Sequence, residues 1–177
     1  EGAHTQAPYW YVHMNNKDTI VGTAADYLDD GPHAWIYKNG VTTALAPDTY
    51  ISWAYGINDK DEAVGAKRVY HSEDQQDYND WPVIWSGGTA TLLNTLPALH
   101  RRGVAYDINK SGWFIGDTCG YSSCTAFVYN GHRMFDLNTR MDASGAGWVL
   151  SHVSAINESG VIVGLGGPMR KVSPSDR

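Results

Sequence analysis

The sequence predicts an all-β repeat protein of four-stranded antiparallel units, β-propeller-like in build, and three observations carry that prediction. A nine-residue phrase occurs four times, as MNNKDTIVG at 14–22, INDKDEAVG at 57–65, INKSGWFIG at 108–116 and INESGVIVG at 156–164. Its starts lie 43, 51 and 48 residues apart, and spacing of that order marks a repeat architecture. A second phrase falls between copies of the first, as HAWIYKNGVTTAL at 33–45, WPVIWSGGTATLL at 81–93 and TAFVYNGHRMFDL at 125–137. The composition, with 11 Tyr, 7 Trp and 19 Gly in 177 residues, suits β structure, and no window has helical apolar spacing long enough to require a helix.

Within the first phrase, Asn15, Asn58, Asn109 and Asn157 are expected to end a strand, because Asn bonds its own backbone a residue or two onward. Three residues later stand Asp18, Asp61, Gly112 and Gly160. Gly takes positive φ at no steric cost and Asp tolerates it, so this position is read as the left-handed residue of a tight hairpin. The β-prone runs that follow close on Gly22, Gly65, Gly116 and Gly164, which suggests a bulge or a neighbour too close for a side chain. In the second phrase an aromatic-aliphatic core precedes Asn39-Gly40, Gly87-Gly88 or Gly131-His132, and such dipeptides between β-prone runs signal hairpins. One further strand precedes each Ile-Asn phrase, as in ISWAY and GVAYD. A unit is thus four short strands in about 45 to 50 residues, the size of a propeller blade. One domain is expected over 1–167, with repeats near 9–50, 51–101 and 102–149, a partial repeat at 150–167 and a flexible polar tail at 168–177. About three and a half blades result, closing as a four-bladed ring or forming part of a larger one.

The two phrases together resemble the bacterial HAF repeats, named for a His-Ala-Phe triplet. Those repeats pair Gly-Ile-Asn-x-x-Gly-x-Val-Gly with His-Ala-Phe-x-Trp/Tyr-x-x-Gly and a later Asp-Leu. The matching residues are His33-Ala34-Trp35, Thr125-Ala126-Phe127 and Asp136-Leu137, and the resemblance runs over roughly residues 9 to 166. Trp81-Pro82-Val83 replaces the triplet in the second unit. The resemblance implies an extracellular or cell-surface propeller-like array and brings no catalytic residues with it.

Two cysteines, Cys119 and Cys124, flank one loop between strands that must turn back on itself, which can bring their α-carbons within bridging range. Reduced thiols and half of a metal site are the alternatives. The extracellular resemblance and the even count favour a disulfide. The net charge of −6 with scattered basic residues excludes a nucleic-acid or anionic-membrane partner, and no apolar run is long enough for membrane insertion. The opening residues lack the charged-then-apolar order of a secretion signal, so a secreted chain would be met here in trimmed form.

Most of the remaining chemistry lies in the equivalent loops AADYLDDGPH, KRVYHSEDQQDYNDW and the CGYSSC segment. Acids (Asp26, Asp29, Asp30, Glu73, Asp74, Asp77, Asp80, Asp117) meet aromatics and a histidine there (Tyr27, Tyr78, Trp81, Tyr121, His71). Rings stack on pyranose faces and carboxylates accept sugar hydroxyls, so Tyr27, Asp29, Asp30, His71, Asp77, Tyr78, Trp81 and Tyr121 are the candidate ligand residues. Plain solvated loops are the bland alternative. No metal site is expected, and no cofactor is assigned; calcium stays open, although DYLDD and DQQDYND lack the alternation of a recognised calcium loop. No nucleophile elbow, His-Glu-x-x-His or phosphate loop appears, His13 and His152 are read as strand ends, and the strand Trp and Tyr, Trp113 and Tyr106 among them, as core.

The expected function is therefore a non-catalytic extracellular module presenting acidic and aromatic loops to a glycan or surface protein. A carbohydrate-active hydrolase or lyase and a structural, self-assembling repeat are the alternatives. Three units and a hairpin leave sheet edges open, so self-association or continuation in a longer chain is expected.

Overall fold

The computed structural model describes residues 11–25, 31–49, 51–72, 77–94, 96, 101–121 and 123–168. Strands β1 (Val12–Met14), β2 (Ile20–Ala25), β3 (Pro32–Lys38) and β4 (Val41–Ala44) form an antiparallel sheet in chain order. β5 (Ser52–Ile57), β6 (Ala63–Tyr70), β7 (Tyr78–Ser86) and β8 (Thr89–Leu92) repeat that order. So do β9 (Arg102–Ile108), β10 (Phe114–Cys119), β11 (Cys124–Tyr129) and β12 (Met134–Asp136), and one parallel contact, Asp80 to Arg102, joins these two sets into a single sheet. β13 (Trp148–Ile156) and β14 (Ile162–Pro168) make a two-stranded hairpin. The only helix among the described residues is two single 3-10 turns, Leu137–Thr139 and Ala143–Gly145, so the all-β class holds. No helix among them is long and apolar enough to cross a membrane. The tail after Pro168 lies outside the described residues.

The repeated phrase is a hairpin with the left-handed residue where the sequence places it: φ is 59° at Asp18, 60° at Asp61, 87° at Gly112 and 82° at Gly160. In each turn the Asn Oδ1 accepts two backbone N–H groups, two and four residues on, for instance Lys60 and Glu62 onto Asn58 at 2.9 and 3.1 Å. At Asn39-Gly40 and Gly87-Gly88 both residues have positive φ, the backbone of the primed turns that match strand twist.

The other half of the amide does something the local sequence does not announce. Asn15 Nδ2 donates to the Asn58 carbonyl at 2.9 Å, Asn58 Nδ2 to the Asn109 carbonyl at 3.0 Å, and Asn109 Nδ2 to the Asn157 carbonyl at 3.3 Å. The four turns are thereby stacked in chain order by one ladder of side chains. A neighbouring rung runs beside it, where the Asn16 N–H donates to Asp59 and the Lys110 N–H to Glu158.

The apolar cores form between units rather than within them. Val21 and Ala34 of the first unit pack with Ala54 and Ile57 of the second. Val64 of the second packs with Ala105 and Ile108 of the third. Ile115 and Ala126 of the third pack with Val153 and Ile156 of the fourth. The residue six places past one ladder Asn thus meets the residue just before the next.

The closing glycines answer to both causes expected of them. The register slips at Tyr55 in β5, at Tyr106 in β9 and at Ser154 in β13, three residues before each Asn, so the first strand of each of these units carries a bulge there. Opposite it the paired glycine meets backbone: a Cβ on Gly65 would lie 1.8 Å from the Trp53 carbonyl oxygen, and one on Gly116 would lie 1.9 Å from that of Val104.

Two stability measurements check this account. Asn58→Ala, which strips a buried rung of its bonds, is expected to lower unfolding free energy by about 3 kcal/mol, and Asn157→Ala, at the exposed end, by about 1 kcal/mol; equal losses in denaturant titrations would contradict the ladder. Gly116→Ala is expected to cost about 3 kcal/mol through forced backbone displacement, whereas Gly167→Ala, where a Cβ meets nothing within 4 Å, is expected to be neutral.

Candidate functional site

Of the eight candidate ligand residues, Tyr27, Asp29 and Asp30 lie outside the described residues, as do Asp26, Glu73 and Asp74. His71, Asp77 and Tyr78 lie at the base of the β6–β7 loop, and Trp81 lies three residues further along β7. The His71 N–H donates to the Asp77 carbonyl at 2.7 Å, and Asp77 pairs with Arg101 at 2.7 Å. Tyr78 and Trp81 are part of β7 itself; the Tyr78 ring lies under the Arg68 guanidinium, 3.8 Å from its centre, and Trp81 pairs across from Lys67. Tyr121 stands apart at the tip of the β10–β11 loop, fully exposed.

Two acids of the expected loop face are buried in strands instead. Asp80 accepts a two-pronged contact from Arg68, Nε at 2.7 Å and Nη2 at 3.1 Å. A buried carboxylate needs such a partner; the tie to the third unit is made beside it, where the Asp80 N–H donates to the Arg101 carbonyl at 2.9 Å and Arg102 Nε lies 3.8 Å from the Asp80 carboxylate. Asp117 in β10 accepts from the Tyr106 hydroxyl at 3.3 Å and meets His152 Nδ1 of β13 at 2.7 Å. His152 is thus the partner of a buried acid and not only a strand end. Trp113, read from sequence as core, is half exposed, because its position in the turn faces outward.

Cys119 and Cys124 are joined in a disulfide, directly opposite one another at the end of β10 and β11, with α-carbons 4.0 Å apart. The bridge clamps the mouth of the loop that carries Tyr121.

The bulges aim their tyrosines in one direction. Tyr11, Tyr55 and Tyr106 form an edge-to-face row, with ring centres 5.0 and 5.7 Å apart, that runs across three units and ends on Asp117. Burial, with Tyr11 and Asp80 adding to it, pushes the Tyr55 hydroxyl up to about 12. Burial and the Asp117 carboxylate raise Tyr106 as well. Asp117 is also held above the ordinary carboxylate range, because burial outweighs the help of His152 and Tyr106.

A groove of about 700 Å³ opens between the third unit and the fourth. Its walls include Ser123, Cys124 and Thr125 from the disulfide loop, Asp136 and Asn138 from the first 3-10 turn, Met141 and Asp142, and Trp148 at the start of β13. Local bonds fix the frame. Asp136 Oδ1 accepts the Asn138 N–H, Asn138 clamps Leu150 through both its amide atoms, and Asp142 accepts from Ser144. The Ser144 bonds hold the Asp142 carboxyl below its ordinary range, so it stays ionised at neutral pH. Half of the Trp148 side chain is exposed. Of these residues the sequence singles out Cys124 for the disulfide and Thr125 and Asp136 within the second repeated phrase, and it gives none of them a ligand role. The available signal was the length of the Asp136 to Trp148 connection and its mixture of acid, small residues and a tryptophan.

Because folding raises Asp117, its contribution to stability is full below the ordinary aspartate range and is lost as pH rises through the raised value. Asp117→Asn removes that titration. The melting temperature of the native protein minus that of the variant is therefore expected to fall as pH is raised from about 3 to 7; a difference independent of pH would show that Asp117 does not couple to folding. Comparisons with known protein families, with curated proteins and with solved structures find no match for this chain.

Proposed function

We propose that this chain is a non-catalytic extracellular binding module of propeller-like, HAF-type repeats that holds a glycan in the groove between its third and fourth units. The groove carries the reading: a half-exposed tryptophan, an ionised aspartate and the Ser and Thr hydroxyls of a disulfide-clamped loop face one space. An aromatic face takes the apolar side of a pyranose, and the polar groups around it take hydroxyls. Small residues at Ala143, Gly145, Ala146 and Gly147 leave room for a ring to lie against the wall. The propeller-like part of the reading is supported by the strand order repeated from unit to unit and by the contacts between first strands of successive units. The disulfide agrees with an oxidising compartment.

A glycan array followed by calorimetry on the bound sugars tests this. Trp148→Ala is expected to weaken the bound sugar at least about tenfold, or about 1.4 kcal/mol, with the melting temperature unchanged. Binding that ignores Trp148→Ala, or no sugar bound at millimolar concentration, would overturn the proposal. Reducing ends released from a bound glycan would move the reading to a carbohydrate-active enzyme.

A further inference from the structure

The two ends of the array are complementary. Six residues past the ladder Asn, Val21, Val64 and Ile115 are each fully covered by the following unit, yet Val163 in β14 is 59% exposed. Two residues further on, Thr23, Ala66 and Asp117 are buried, while Leu165 is 72% exposed. At the opposite end the residue before the ladder Asn is Ile57, Ile108 or Ile156 in the later units, at most 9% exposed, whereas Met14 is 63% exposed. The ladder is open in the same sense. Among the described residues Asn157 Nδ2 reaches no further carbonyl, and the Asn15 carbonyl accepts only from its own turn, at Asp18.

We infer that the β14 face of one molecule seats the first unit of a second copy, head to tail. Met14 of the incoming copy then lies on Val163 as Ile57 lies on Val21, and Asn157 Nδ2 donates to the incoming Asn15 carbonyl as Asn109 does to Asn157. The occupant is argued from three internal examples of the same joint, each with an apolar residue seated before a ladder Asn and an amide-to-carbonyl rung. The two patches differ, so the contact is heterologous: it repeats into a ring or a filament and does not stop at a two-fold dimer. It uses β14 and β1 and leaves the groove untouched, so it stands or falls apart from the glycan reading.

Light scattering and sedimentation across micromolar to submillimolar concentration test it with two variants, Met14→Asp at the head and Val163→Asp at the tail. Both positions are exposed, so each variant should fold, as circular dichroism and an intact disulfide would verify. The native protein is expected to associate with rising concentration, and each variant alone to associate at least about tenfold more weakly. An equimolar mixture of the two is expected to form a dimer and stop there, since one intact head meets one intact tail. A native protein that stays monomeric throughout would overturn the inference, and so would a mixture that recovers no association. If the native protein is monomeric and both substitutions lower its melting temperature, the two ends meet within one chain and the second copy is excluded.

Discussion

Asn15, Asn58 and Asn109 each divide their amide between two tasks. The oxygen takes two N–H groups of its own turn, and the nitrogen reaches the backbone carbonyl of the next unit. Local conformation and tertiary order are therefore fixed by one side chain, and neither can change without the other. A buried amide left without partners costs more than its bonds return, so a unit displaced along its neighbour would pay at the ladder before any apolar contact was lost. The cores follow from this. Each lies between two units, so no unit completes a core alone, and stability accrues joint by joint as in other repeat arrays.

The bulges and glycines connect that frame to chemistry. A bulge three residues before the ladder Asn turns Tyr55 and Tyr106 into a common row, and the bare glycine opposite lets the strands approach at that point. The row ends on Asp117, an acid whose place is tolerable only because His152 arrives from the fourth unit and Tyr106 from its own. Polar groups placed at a joint in this way make one neighbour acceptable and others not, which apolar packing by Val and Ala alone does less sharply.

Much of this was legible in the sequence because it is local. The turn at each repeated phrase, the left-handed Asp18, Asp61, Gly112 and Gly160 and the primed hairpin at Asn39-Gly40 all depend on residues within a few positions of one another, and the crowding at Gly65 and Gly116 on the strand paired directly across the same hairpin. The Cys119–Cys124 bridge was legible for the same reason. What stayed hidden has its cause far along the chain. Arg68 claims Asp80 from the neighbouring strand of its own unit, and His152 claims Asp117 from the neighbouring unit, so two acids that look like loop chemistry are buried and paired. The groove depends on how the Leu137 to Gly147 connection folds back over the disulfide loop, which no periodicity describes. The ladder left one faint trace: the turn position is Asn in all four copies, where Asp or Ser would have served the turn alone.

Three rungs of the ladder span 43, 51 and 48 residues and are nonetheless the same bond. The array is thus indexed by turns and not by chain length. Extra residues between two turns have no route to the ladder except through the strands, and they are absorbed where the units differ most, in the β6–β7 loop and in the connection before β13. A chain organised in this way can vary the surface it offers at each station while its spine stays in frame.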